Sequence, residues 1–401
     1  MPGSSVLFDT YARFPVRLVR GEGAYVVDAA GRRYLDFTSG IAVLSLGHVP
    51  PAVKKRLEAQ LEALWHTSNL FESPHQEAVA ERLVRLSFAD RVLFVNSGAE
   101  ANEAAIKLVR RYARKVRGLD GGTIVAFHRS FHGRTMGALS ATGQPAHWDG
   151  FEPMLPGFRF LPYNDPAALE AIDGTTIAVM LELVQGEGGV TPADPAWVQA
   201  LVERSRAQGA LVIVDEVQTG IGRTGTLFAY EQYGFEPDVM TLAKGLGAGV
   251  PVGALLAREA VAAVFGPGTH GSTFGGNPLA MAAAEAVLDV VADPAFLARV
   301  REAATQLRRG LEAIAGRHAG LEVRGLGLLL GLGLSPEHFP DGARPLVDRL
   351  REAGVLVLTA GPNVVRILPP LTVGEAEIDR FLAALDAVLT ERSAAGIPGS
   401  E

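Results

Sequence analysis

Leu211-Val212-Ile213-Val214-Asp215-Glu216-Val217-Gln218 sets four apolar residues in a row directly before two carboxylates. A run of β-branched and aliphatic residues without polar alternation fits a strand buried on both faces, as inside parallel α/β sheets. Its carboxylate end is then the C-terminal edge, where open α/β sheets bind ligands. Similar runs recur on either side: Arg91–Val95, Thr123–Phe127, Ile177–Leu183, Val239–Leu242 and Val252–Leu256. Helical patterns separate them. Ala105, Leu108, Val109 and Tyr112 fall on one face, and Pro195–Gln208 and Pro278–Val291 also read as helices. Such alternation predicts a mostly parallel sheet flanked by helices.

The last third changes character. Phe296–Ile314, Leu346–Glu352 and Glu375–Arg392 read as helices, and Gly354–Leu358 and Val364–Leu368 as strands. The expected organisation is a large α/β domain over residues 48–288 and a small α+β domain over 289–401. Residues 1–47, with short strands at Gly23–Val27 and Tyr34–Phe37, are expected to join the small domain, and the end from Ser393 to Glu401 to be frayed.

Composition narrows the function. The chain has 401 residues, 48% hydrophobic and 20% charged, enough for one large core and a smaller lobe. It has no cysteine, which excludes disulfides, zinc thiolates and cysteine nucleophiles. A net charge of −7 argues against nucleic acid as the main partner. No apolar run reaches the roughly 18 residues of a membrane span. Nor does the start, Met1 to Pro15, have a basic segment followed by an apolar one, so no membrane partner and a cytoplasmic location are expected.

Lysine usage is the sharper clue. Of 37 basic Lys and Arg residues only five are lysines, and after Lys115 there is one alone, Lys244. It sits in Thr241-Leu242-Ala243-Lys244-Gly245-Leu246-Gly247, directly after an apolar run. A guanidinium does not lose its proton near neutral pH; an amine can, and can then attack a carbonyl to form a Schiff base.

Three further segments surround such chemistry. Asn96-Ser97-Gly98-Ala99-Glu100-Ala101-Asn102-Glu103 follows a strand and opens a helix, so its backbone N–H groups suit an anion. Gly98 would let an oxyanion approach the backbone, while Ser97 with Glu100 also has the spacing of a plain capping box. Phe127-His128-Arg129-Ser130-Phe131-His132-Gly133-Arg134-Thr135 offers Phe131 to stack on a planar group and Arg134 to grip a carboxylate. Its histidines fit satisfied structural groups, there being no nearby carboxylate to complete a metal site. Thr269-His270-Gly271-Ser272-Thr273-Phe274-Gly275-Gly276-Asn277-Pro278 is either a second oxyanion contact or a simple loop and cap. Asp215 itself suits a metal ligand, a cap, or a partner for a protonated pyridine nitrogen beside Val217 and Gln218. No Walker or well-placed dinucleotide motif is present.

Together these segments resemble the class III (subgroup II) pyridoxal-phosphate aminotransferases. The match runs from Gly31-Arg32-Arg33-Tyr34-Leu35-Asp36-Phe37 to Arg366-Ile367-Leu368-Pro369-Pro370-Leu371, with Ser97–Asn102, Phe131–Thr135, Asp215–Gly220, Ala243–Gly245 and Thr273–Asn277 in family order. The resemblance implies a fold-type-I transferase with a seven-stranded, mostly parallel sheet, and pyridoxal 5'-phosphate as cofactor, with no metal. It implies that Lys244 is the catalytic residue, binding the cofactor and shuttling the substrate proton. Asp215 would pair with the ring nitrogen, Gln218 with the ring hydroxyl, and Val217 and Phe131 would sandwich the ring. Ser97, Gly98 and Ala99 would hold the phosphate, with Thr273 reaching it from the other subunit of a homodimer.

For substrates, the resemblance implies that Arg134 binds a carboxylate. Glu187 would mask Arg366 while an amine donor is bound and release it for the carboxylate of 2-oxoglutarate; the bland alternative for Arg366 is a surface ion pair. Leu183 stands where the family's motif has proline. Thr38–Val43 and Leu64–Phe71 most resemble the N-acetylornithine aminotransferases of arginine synthesis, with Ser272 helping to position the substrate. The expected reaction moves the terminal amine of N-acetylornithine to 2-oxoglutarate, giving N-acetylglutamate semialdehyde and glutamate. Carrier-bound lysine precursors, ornithine and 4-aminobutyrate are the alternative donors; a fold-type-I racemase and a non-catalytic binding protein are the alternative classes.

Overall fold

The computed structural model describes residues 6–394, so most of the segment expected to fray lies outside the described residues. Its centre is a seven-stranded sheet in the order Arg91–Val95, Gly253–Ala257, Val239–Leu242, Leu211–Asp215, Thr176–Leu181, Thr123–Phe127, Phe158–Leu161. All strands run in one direction except Gly253–Ala257, which is antiparallel to both neighbours. The four strands Thr176–Leu181, Leu211–Asp215, Val239–Leu242 and Gly253–Ala257 are buried along their whole length. That burial is why they read as continuous apolar runs rather than alternating ones.

Helices cover both faces. Gly98–Lys115 packs across Val239–Leu242 and Gly253–Ala257, burying Ala105, Leu108 and Val109, with Tyr112 half-buried against the same cluster. Pro195–Ala207 packs on Leu211–Asp215, and Pro74–Arg85 on Arg91–Val95. Helix ends follow the expected chemistry: Asn277 caps Pro278–Val291 through Ala280 N, and Asp194 caps Pro195–Ala207 through Trp197 N.

Several elements differ from the sequence reading for physical reasons. Phe158–Leu161 is an edge strand, half-buried and only four residues long, so it carries no buried run. The hairpin Leu321–Leu326 with Leu329–Leu334 also went unread; its second strand is leucine and glycine throughout and fully buried, which removes any period. The single strand expected at Gly354–Leu358 is two. Val355–Leu356 pairs in parallel with Arg33–Asp36, and Leu358–Thr359 pairs antiparallel with Val364–Ile367. The chain changes sheets at the buried Val357.

The N-terminal strands Leu18–Glu22, Tyr25–Asp28 and Arg33–Asp36 form a sheet completed by Val355–Leu356, which draws the start of the chain onto its last third. Phe37 fixes this contact. Its ring stacks on Phe381 of the helix Glu375–Ala394 with centroids 4.8 Å apart. Its carbonyl accepts Leu368 N at 2.7 Å, and its N–H donates to Leu356 O at 2.9 Å. Both rings are fully buried. Phe381→Ala is therefore expected to cost about 3–5 kcal/mol, read as a lowered urea midpoint at constant m-value; a cost below about 1 kcal/mol would show that the contact does not join the two ends.

Candidate active site

At the C-terminal edge of the sheet lies a cavity of about 440 Å³. Its most constrained group is Asp215, the last residue of Leu211–Asp215 and 4% exposed. One carboxylate oxygen, Oδ2, accepts Asn102 Nδ2 at 2.8 Å and lies 2.7 Å from His132 Nδ1. The other accepts Val217 N at 3.0 Å. Asn102 is itself fixed, donating to His132 O at 2.7 Å and accepting from Thr241 Oγ1 at 2.8 Å. His132 N donates to Thr142 Oγ1 at 2.9 Å. Burial opposes a charged imidazole, but the hydrogen bond and charge of Asp215, with the charge of Glu182, outweigh it and hold the His132 pKa above its ordinary value. As to the three readings of Asp215, among the described residues no group of three or more His, Asp or Glu is arranged to hold a metal ion. The capping one reduces to a turn over Val217 N.

Lys244 lines the same cavity from the end of Val239–Leu242. Its amine makes no hydrogen bond or ion pair with any described residue. Burial pulls its pKa below the ordinary lysine value, Arg366 adds to the fall, and the carboxylates of Glu187, Asp215 and Glu182 oppose it. The backbone at Lys244 has φ 44°, a left-handed conformation that costs a non-glycine residue on the order of 1 kcal/mol and is typical of functional positions. Ser45 Oγ donates to Gly245 O at 2.9 Å, tying the N-terminal segment to the lysine loop.

The helix Gly98–Lys115 points its N-terminus into the cavity. Ser97 Oγ accepts Glu100 N at 3.2 Å, which is half of the expected capping box; Glu100 Oε2 turns instead to Asn96 N at 2.6 Å. The N–H groups of Gly98 and Ala99 have no partner among the described residues, and both residues line the cavity. The need for glycine at 98 also has a reason that sequence alone did not reveal. A Cβ there would lie 2.7 Å from Val217 Cγ1, so the helix start and the Val217 wall meet only without a side chain.

Phe131 lines the cavity, and its N–H donates to Glu182 Oε1 at 2.9 Å. Arg134 is exposed, with its guanidinium 5.5 Å from the Phe131 ring centroid and no carboxylate partner among the described residues. Glu182 went unassigned in the sequence, although it follows a buried apolar run just as Asp215 does. It is buried against the cavity and accepts N–H groups from Phe131 and, at 3.4 Å, Gly186. Burial raises its pKa to about 7, with the His132 charge and the two N–H bonds opposing and the Asp215 charge adding. The sequence fits His132 to a satisfied structural group and assigns nothing to Asn102; neither motif discloses that both converge on Asp215.

Behind Gln218, Arg366 Nη1 lies 2.5 Å from Glu187 Oε1 and also donates to Gly186 O at 3.1 Å and Gln218 Oε1 at 3.3 Å. The Arg366 side chain is 3% exposed and that of Glu187 29%, so this is not a surface ion pair. The turn at Leu183 forms without proline: its side chain is buried, and its carbonyl accepts Ala193 N and Tyr233 OH. Ser272 and Thr273 stand apart from this chain's cavity. Ser272 Oγ accepts Asn96 Nδ2 at 3.1 Å and Gly275 N at 3.0 Å, and Thr273 is exposed.

The family model described as aminotransferase class-III matches residues 8–389. The acetylornithine aminotransferase of Listeria innocua is 49% identical over 388 residues, covering 96% of this chain and 98% of its own. The crystal structure of N-acetylornithine aminotransferase from Stenotrophomonas maltophilia superposes with a TM-score of 0.84 at 41% identity, over 96% of this chain and 98% of that one. The ornithine aminotransferase of Toxoplasma gondii, crystallized in the presence of oxidized glutathione and with partial occupancy of PLP at its active site, gives 0.93 at 34% identity, over 97% and 93%. With a family match across nearly its whole length and a lysine, a carboxylate and a helix N-terminus converging on one cavity, this chain belongs to the class-III aminotransferases.

Proposed function

We propose that the chain transfers the terminal amino group of N-acetylornithine to 2-oxoglutarate, with pyridoxal 5'-phosphate as cofactor. The observation that carries the chemistry is an unpaired, desolvated lysine amine facing the same cavity as a doubly anchored carboxylate. The likeness to acetylornithine aminotransferases carries the choice of donor.

The residues present fit the cofactor. The unpartnered N–H groups of Gly98 and Ala99, with Ser97, suit its phosphate, and Asp215 suits its ring nitrogen. Val217 and Phe131 supply apolar faces, and Gln218 an amide for the ring hydroxyl. When bound, pyridoxal phosphate supplies the electron sink that makes the carbon bearing the amine acidic. Lys244 Nζ carries the proton from that carbon, a task its lowered pKa suits and an arginine cannot perform. Asn102 and His132 hold the Asp215 carboxylate in one orientation, which suits it to pair with a protonated ring nitrogen.

Two carboxylates must be handled in turn. Arg134, without an acidic partner, holds the carboxylate of the donor. Arg366 is neutralised by Glu187 while the donor's carboxylate-free end is bound. Glu187 is the more exposed partner and is the one that moves; Gly186 O and Gln218 Oε1 then keep the guanidinium aimed for 2-oxoglutarate.

The site is completed by a second copy of the chain. Leu64, Trp65, Leu70, Phe71 and Phe274 are large, apolar and exposed, and His66 lies 5.3 Å from the Phe274 ring. Such a patch suits a subunit contact. It would bring Thr273 to the partner's phosphate and Ser272 close to the substrate. No helix among the described residues is long and apolar enough to cross a membrane, and a cytoplasmic location is part of this reading.

Initial rates with pyridoxal phosphate and 2-oxoglutarate test the donor. N-acetylornithine is expected to exceed ornithine, 4-aminobutyrate and lysine in kcat/KM by about tenfold or more, roughly 1.4 kcal/mol of transition-state preference; equal or better use of another donor would overturn the assignment. Glu187→Ala should leave Arg366 permanently unmasked. Its kcat/KM for N-acetylornithine relative to glutamate is expected to fall about tenfold or more, and an unchanged ratio would refute the gate.

A further inference from the structure

A separate cavity, of about 510 Å³, lies beside Val364, at the start of the strand that carries Arg366. It is lined by Arg129, Arg324, Ser335 and Asn363, with Glu322 its one carboxylate. Glu322 is already engaged, accepting Arg324 Nη2 at 2.5 Å. The buried Arg324 Nε has no partner. The side chains of Arg129, Ser335 and Asn363 donate to no described residue. Arg129, Arg324, Ser335 and Asn363 therefore line one concavity whose one acid is taken, and the side-chain donors of Arg129, Ser335 and Asn363 are unspent. That donor set, in a cavity of small-molecule size, suits an oxyanion.

Arg129 is not a free surface side chain. Its backbone has φ 67°, the left-handed region, and it lies against the turn after Glu187. A Cβ at Gly188 would come 2.5 Å from Arg129 O, and one at Gly189 would come 2.8 Å from Arg129 Nη2. Two successive glycines thus seat both ends of this arginine on the turn. Gln185 Nε2 donates to His128 O at 3.0 Å and fastens the same turn to the same loop. On the far wall, Asn363 and Val364 lead into Val364–Ile367, the strand that holds Arg366. Through Arg129 and Val364 the cavity therefore adjoins the turn that follows Glu187 and the strand that carries Arg366.

We propose that this cavity binds a small oxyanion, carboxylate or phosphate, which bridges the turn of Glu187 to the strand of Arg366 and holds the pair closed. The binding site stands on its own geometry; the effect on the gate rests on the function proposed above.

Isothermal titration of the holoenzyme with succinate, and separately with inorganic phosphate, tests the site. Saturable binding of either is expected, weakened about tenfold or more by Arg129→Gln and by Arg324→Gln and retained in Arg366→Ala. Succinate alone binding identifies a carboxylate site, phosphate alone a phosphate site, and both a general oxyanion site. No saturable binding, or binding lost in Arg366→Ala and unaffected by Arg129→Gln, overturns it. The bound anion is expected to raise KM for 2-oxoglutarate about fivefold without changing KM for N-acetylornithine, and Arg129→Gln should abolish the effect. Inhibition that persists in Arg129→Gln is competition at the active site and overturns the coupling. Failure of Glu187→Ala to move the donor ratio would remove the gate, leaving the isotherms to decide the site alone.

Discussion

A carboxylate buried at the end of a fully enclosed strand must be hydrogen-bonded or neutralised, and Asp215 meets that demand through Asn102 and His132. Much of the site follows. Asn102 lies on the helix whose N-terminus points into the cavity, and Thr241, which anchors Asn102, lies on the strand that leads to Lys244. His132 belongs to the loop that carries Phe131 and Arg134. One anion thus coordinates three segments distant in sequence, and the cost of burying it is offset by bonds that also set the geometry.

Asp215, Glu182 and Glu187 act on Lys244 against Arg366 and burial, and burial wins, so the amine is more easily deprotonated than in water. The proposed gate rests on a complementary asymmetry. Removing one partner of a buried ion pair leaves an uncompensated charge, on the order of 3–5 kcal/mol. Here the deeply buried partner keeps two neutral acceptors when the half-exposed one departs, which lowers that cost.

Burial made much of the fold legible in the sequence. The central strands, all but the edge strand Phe158–Leu161, were readable because each carries a mostly apolar run, and Pro278–Val291 because proline and asparagine mark its start. The hairpin Leu321–Leu334 was not, because a fully buried leucine and glycine run has no period. The split at Val357 depends on two partner strands far away in sequence. In the site, Lys244 and Asp215 stood out by residue type and position. Their supporting groups did not: that His132 and Asn102 meet at Asp215, that Gly98 makes room for Val217, and that Glu182 joins two loops are long-range facts.

The central claim is that Lys244, and no other amine of the chain, is the cofactor's attachment point. Treating the enzyme loaded with pyridoxal phosphate with borohydride, then digesting it and mapping pyridoxyl-modified peptides by mass spectrometry, tests this directly. With only five lysines the result is unambiguous. One stoichiometric adduct on the peptide containing Lys244 is predicted; an adduct on Lys54, Lys55, Lys107 or Lys115 instead, or none, would contradict the account.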